Sequence, residues 1–189
     1  KGSINSLPWC EIPLAIESNK ILNDLVALNK AGYLTINSQP KVNGLPSEDP
    51  NFGWGAKGGR VFQKTYLEFF TSKDNLDRLI KILDTLNDIS YQAVSTNGDI
   101  ISNLSEENVN AVTWGVFPGQ EILQPTIVDT RSFLIWKDEA FGLWINDWAS
   151  IYKQKSDSYN LLHQINDSYY LVNIVDNDFI DGDMIKHIL

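Results

Sequence analysis

Val61-Phe-Gln-Lys-Thr-Tyr-Leu-Glu-Phe-Phe70 is the stretch on which the reading of the fold turns. It is dense in aromatic side chains, which favour a pleated, half-buried backbone, and it reads as one strand. Ser72 follows as an N-cap, opening a helix with Leu76, Leu79, Ile80, Leu83 and Leu86 on one face. Residues 91–96 and 100–103 then flank Asn97-Gly98, a hairpin signal because the tight turn between twisted strands needs positive φ. Upstream, residues 18–30 form a helix with Ile21, Leu22, Leu25, Val26 and Leu28 as its apolar stripe, Ser18 as N-cap and Gly32 as terminator. Residues 33–37 read as a strand. Residues 38–60, rich in Gly, Pro, Asn and Ser, read as a long loop.

Downstream, residues 111–116 and 122–128 are strands around Pro118-Gly119. Residues 133–136 fit strand or helix equally. Residues 138–153 form a helix with Phe141, Trp144, Ile145, Trp148 and Ile151 along one side, residues 158–166 a short helix, and residues 169–175 a last strand. Strands and helices do not alternate regularly. The expected class is α+β: one domain with a mixed or antiparallel sheet flanked by helices, neither a Rossmann fold nor a TIM barrel.

Composition excludes several functions. The chain has 189 residues, of which 43% are hydrophobic, enough for one domain with a substantial core. No apolar run approaches the ~18 residues that span a bilayer. The first residues lack the apolar core of a signal peptide and read as a cut edge of a longer polypeptide. Net charge is −9, from 15 basic and 24 acidic residues. That balance opposes nucleic acid, which needs clustered Lys and Arg, and opposes an anionic membrane surface. Cys10 is the only cysteine, so no internal disulfide or thiolate metal cluster forms. A reducing, cytoplasmic location fits, and the glycosylation sequons at Asn103 and Asn166 are then chance matches.

The motifs that suggest chemistry are weak. Gly53-Trp-Gly-Ala-Lys-Gly58 matches a dinucleotide loop letter for letter, but that loop must follow a strand and open a helix. Here a Pro-rich segment precedes it and a strand follows. His163 and His187 lie in different elements without a second ligand at metal-binding spacing. Cys10 has no histidine near it in sequence to activate it. Asp176, Asn177, Asp178, Asp181 and Asp183 lack the Gly and Glu of a calcium loop and read as a solvent-exposed terminus. No metal site is expected.

A recognition surface is better supported. Residues 111–129 mix short apolar runs with Thr113, Trp114, Gln124 and Thr126, broken by Pro118-Gly119 and Pro125. Hydroxyl and amide groups are thereby presented where the chain leaves a sheet, with no nucleophile among them. Thr35, Ser38, Thr113 and Thr126 each stand next to a loop mouth, although a strand Thr is commonly there for β propensity. Glu17-Ser18 opens the first helix, where capping is the ordinary role.

These blocks carry a resemblance. Leu7-Pro-Trp9, residues 34–40, Gly53-Trp-Gly55, residues 61–64 and 66–70, residues 111–129, Trp136-Lys-Asp-Glu-Ala-Phe141, residues 171–173 and residues 175–179 recur in that order in the C-terminal regulatory domain of eukaryotic methylenetetrahydrofolate reductase. The chain resembles that domain over nearly its whole length. The resemblance implies binding of S-adenosylmethionine and S-adenosylhomocysteine as effectors, without catalysis in this chain. It implies inhibition of a separate catalytic barrel that holds FAD and uses NADH or NADPH, and a homodimer formed through this domain. Carried over position by position, its ligand site falls on Glu17, Ser18, Thr35, Ser38, Thr113 and Thr126. Ser18 stands where the family commonly has Thr, and the hydroxyl is kept. In the family a Pro-aromatic linker segment also closes the site; it is absent here, which implies a weaker pocket. Two other readings compete. A methyltransferase would need a Gly-rich turn after a first strand. A dimerisation scaffold without ligand would use aromatic strands such as residues 61–70 as exposed edges.

Overall fold

The computed structural model describes residues 16–47, 57–95, 97, 99–104, 113–120, 165, 168–177 and 184–189. The aromatic stretch is two strands, not one. β3 (Gly59–Gln63) and β4 (Tyr66–Ser72) are separated at Lys64-Thr65 and belong to different sheets. β3 lies between β2 (Val42–Ser47) and β7 (Thr113–Val116). β4 joins a five-stranded sheet in the order β1 (Leu34–Gln39), β4, β8 (Tyr169–Asp176), β5 (Ile89–Ser95), β6 (Ile100–Ser102). All pairings are antiparallel, so the expected α+β class holds. The break falls at Lys64-Thr65, just after Gln63, and all three polar residues are nevertheless buried, because the crossing supplies them with partners. Neither half is an exposed edge. Each has a strand on both sides, and the scaffold reading loses that support.

Three helices cover one face of the larger sheet: α1 (Leu22–Lys30), α2 (Lys73–Leu83) and α3 (Met184–Ile188). The sheet offers Leu67, Phe69, Ile89, Tyr91, Ala93, Val172 and Ile174, alternate residues of adjacent strands. The helices answer with Leu25, Leu28, Leu76, Leu79, Leu83, Met184, Ile185 and Ile188. Each fully buried side chain of this size contributes about 1.5–3 kcal/mol. Ser72 caps α2 as expected, its Oγ accepting the Asn75 N–H at 3.4 Å.

The first helix differs from its sequence reading. Residues Ile16–Ile21 form a 3-10 turn, and the α-helix begins after Ile21 with no side-chain cap, so Ser18 is not the N-cap. Leu25 and Leu28 are buried, but Leu22 (44% exposed) and Val26 (45% exposed) face outward. Gly32 ends the helix at φ 94°, as expected. Its position is tight as well, since a Cβ there would meet Asn75 Nδ2 at 2.5 Å.

The long loop expected over residues 38–60 is also corrected. β1 continues through Gln39, and β2 occupies residues 42–47 despite Gly44 and Pro46. β2 tolerates both because, among the described residues, it is an edge strand, with a register shift between Asn43 and Leu45. The hairpin of β5 and β6 forms as read. After β7, Gln120 N–H donates to Phe117 O at 3.1 Å with Gly119 at φ 80°, a type II arrangement that Pro118 and Gly119 favour. β8 matches the last strand. The expected strand at 122–128, the segment at 133–136 and the helix at 138–153 lie outside the described residues. So does the helix at 158–166, except for Ile165, which is helical and buried.

The opposite face of the larger sheet is buried too, but it is polar at its centre. Asn37, Glu68, Asn173, Gln92 and Ser102 stand opposite one another across all five strands. Glu68 and Asn173 are fully buried and Gln92 nearly so. Tyr66 OH donates to Asn173 Oδ1 at 2.7 Å. Burial, reinforced by the neighbouring Glu68 carboxylate, raises the Tyr66 pKa well above 10.

Candidate functional site

Thr35 and Ser38 are three residues apart, a spacing that places strand residues on opposite faces. β1, however, carries a bulge between Thr35 and Asn37. Thr35 pairs with Phe69 and Ser38 with Leu67, and both partners belong to the helix-covered face. The extra residue therefore brings the two hydroxyls to one side. The 3-10 turn that contains Glu17 and Ser18 packs against β1, as does α1. Four of the six predicted positions thus share one neighbourhood, at the edge of the larger sheet.

Asn29, in the last turn of α1, fixes this edge. Its Nδ2 donates to Thr35 Oγ1 at 2.6 Å and to Leu25 O at 2.8 Å, and its Oδ1 accepts the Thr35 N–H at 3.3 Å. The Thr35 hydroxyl keeps its own proton to donate elsewhere. Sequence reasoning missed Asn29. The available signal was a polar amide at a helix end just before the Gly32 corner. Tyr33 packs beneath, its ring edge-on to Phe69 at 5.3 Å. Burial raises its pKa, against the opposing charge of Arg78.

Thr113 opens β7 in the smaller sheet, opposite Gln63. Gln63 Nε2 donates to Pro40 O at 2.7 Å, two residues beyond Ser38. One side-chain bond therefore links the strand partner of Thr113 to the chain leaving the Ser38 edge. Thr126 lies outside the described residues.

The remaining motifs assemble no chemistry here. Gly58, at φ 85°, turns into β3, so a strand and not a helix follows the Gly-rich segment. Asp176 is buried at the end of β8, its N–H bonded to Thr65 O, which corrects the expectation of exposure at that residue; Asp178, Asp181 and Asp183 lie outside the described residues. His187 is exposed on α3. Cys10 and His163 lie outside the described residues. Among the described residues no group of His, Cys, Asp and Glu gathers as metal ligands do, and no helix is long and apolar enough to cross a membrane.

Fold and edge together define a class: a two-sheet antiparallel α+β domain with a polar rim of hydroxyls where its sheets meet. The family model described as "MTHFR, SAM-binding regulatory domain" matches residues 1–189. The chain is 50% identical over 184 residues to methylenetetrahydrofolate reductase (NADH) 1 of Arabidopsis thaliana and 49% identical over 185 residues to the protein of that name from Zea mays. It is 46% identical over 185 residues to methylenetetrahydrofolate reductase 2 of Saccharomyces cerevisiae. These alignments cover 97%, 97% and 96% of this chain and 31% of each relative. The chain belongs to the family of S-adenosylmethionine-binding regulatory domains of methylenetetrahydrofolate reductase. It spans 31% of the length of these relatives.

Proposed function

We propose that this domain senses S-adenosylmethionine and S-adenosylhomocysteine and, when it holds the former, inhibits a reductase of which it is the regulatory part. The observation that supports this reading is the packing of the 3-10 turn at Ile16–Ile21 against β1, on which Thr35 and Ser38 share one face. The effector offers a ribose diol, an amino-acid end and a sulfonium. A carboxylate at Glu17 suits the diol, and hydroxyls at Ser18, Thr35, Ser38, Thr113 and Thr126 suit the amino-acid carboxylate. None of these groups is a good methyl acceptor, so the ligand leaves unchanged. The two effectors differ by one methyl and its charge. Inhibition therefore requires a conformation that binds one of them better, since equal affinity for both states shifts nothing.

The parent enzyme, on this reading, reduces 5,10-methylenetetrahydrofolate to 5-methyltetrahydrofolate with FAD and NADH or NADPH, chemistry that resides outside this chain. It works in the cytoplasm as a homodimer joined through this domain.

Calorimetric titration of the chain with each effector tests the reading. Both should bind, with no methyl transfer. Glu17→Gln should weaken adenosylmethionine by roughly tenfold, one decade per ~1.4 kcal/mol. A wild-type chain that binds neither effector overturns the proposal. A folded Glu17→Gln variant of unaltered affinity removes Glu17 from the site.

A further inference from the structure

Along the described strands the polypeptide passes between the two sheets four times, and two of these passages, Pro40-Lys41 and Lys64-Thr65, lie side by side. Gln39 Nε2 donates to Lys64 O at 2.8 Å, and Gln63 Nε2 returns the tie to Pro40 O at 2.7 Å. The end of β8 closes over them: Asp176 N–H donates to Thr65 O at 3.0 Å, and Asn177 Oδ1 lies 3.5 Å from Lys64 Nζ. Asn177 is held in turn, its Nδ2 on Ser90 Oγ at 2.6 Å and its N–H on Asp88 O at 2.7 Å. Lys64 is only 2% exposed at the centre of this junction, with the Asp176 carboxylate as a neighbouring charge.

The junction separates the two halves of the candidate site. Thr35 and Ser38 lie on β1, just before the first passage, and Thr113 is paired with Gln63, just before the second. We propose that Lys64 is a positioning residue for the effector: its ammonium ties its own passage to the end of β8 and, through the Gln39 and Gln63 bonds, the Pro40 passage with it, and so sets the smaller sheet, with Thr113, against the hydroxyl edge of β1. The proposal rests on the adenosylmethionine reading for its ligand. A charged amine is a poor choice for stability alone. Taking it out of water is costly, and apolar side chains of similar volume often replace buried charges with neutral or favourable effect. What directed charge adds here is a contact of set direction between the Lys64 passage and the end of β8. Burial accordingly lowers the Lys64 pKa from 10.5 to about 8, against the opposing pull of Asp176.

The test is Lys64→Met, which keeps length and volume and removes the charge, in the 189-residue chain. Two readouts are needed. The first uses no ligand: amide hydrogen exchange of β7 and β2 should quicken by roughly tenfold or more relative to β4 and β8, which stay protected. The second is titration with adenosylmethionine, whose affinity should fall by roughly tenfold while urea unfolding is unshifted or moves to higher urea. Unchanged exchange in β7 and β2 overturns the clamp. Quickened exchange with unaltered affinity per folded molecule overturns its role in positioning the effector. A wild-type chain that binds no adenosylmethionine refutes the ligand reading and with it the positioning role, while the exchange measurement still decides the clamp. Should Lys64→Met fail to fold, Lys64→Gln removes the charge while keeping a polar tip, and the same two outcomes decide.

Discussion

The two faces of the five-stranded sheet are both buried at the centre, yet one is apolar there and the other carries a polar row. On the helix face, Leu67, Phe69, Val172, Ile174, Tyr91 and Ala93 meet α1, α2 and α3. On the reverse face, Glu68, Asn173 and Gln92 occupy the central register positions of the same three strands. Burial on the first face is non-directional, so hydrophobic residues of similar volume substitute for one another with modest cost. On the second, each polar group needs a partner at a set distance and angle. The apolar face holds the fold together. The polar face specifies which strand sits beside which, because a register slip would bury polar atoms against apolar neighbours.

Phe69→Ala should show the largest effect. Phe69 is fully buried, touches the Tyr33 ring and lies under α1 and α2. Truncation should cost about 3–5 kcal/mol in denaturant unfolding. A cost below about 1.5 kcal/mol, the range of tolerated core swaps, would mean that the helix face is not the main source of stability.

The polar face should behave differently. Asn173→Leu removes the buried amide oxygen that accepts the Tyr66 hydroxyl and should cost about 1–3 kcal/mol. Adding Tyr66→Phe should recover part of that loss, because the Tyr66–Asn173 pair is then removed together, although Glu68 loses its Tyr66 partner. A double-mutant cycle reads the coupling. Additive losses would show that the row contributes like ordinary packing and would erase the contrast between the faces.

The smallest effect concerns Lys64, at the junction of the two sheets. Its folded pKa of about 8 lies below 10.5. Between those values the unfolded chain keeps a proton that the folded chain has lost, so this group adds stability as pH rises from 8 to 10.5. Tyr91 has the opposite sign. Burial, helped by its hydrogen bond to Asp84, raises it from 10 to about 12, so its contribution is complete below pH 10 and is lost as pH climbs through 12. Lys64→Met should be relatively most stable near neutral pH, with its advantage over the wild type shrinking between pH 8 and 10.5. Parallel pH profiles for the two proteins, measured by urea unfolding, would show that Lys64 is not desolvated as the structure has it.

Much of the polar row was legible without being read. Tyr66-Leu-Glu-Phe-Phe70, Tyr91-Gln-Ala-Val94 and Leu171-Val-Asn-Ile-Val175 each place one polar residue inside an apolar strand. Each alone looks like a surface position of a half-buried strand. Only the pairing of β4 with β8 and of β8 with β5 puts the three side by side. Of the site, the hydroxyl positions were named from the family resemblance, while Asn29, which holds Thr35, was not, since its role depends on how α1 meets β1.

The sequence by itself determined the α+β class, the Ser72 cap and helix α2, the turn at Gly32, the β5–β6 hairpin and the Pro118-Gly119 turn. In each case the decisive interactions act within a few residues: a hydroxyl on a nearby N–H, a backbone at positive φ, an apolar face at helical spacing. Tertiary structure alone decided that residues 61–70 divide between two sheets, that residues 42–47 form an edge strand through Pro46, and that Thr35 and Ser38 face the same way. Strand partners far along the chain set those outcomes. Propensity reports that a segment can be extended, but the hydrogen bonds that divide, shift or bulge it come from the neighbours it meets on folding.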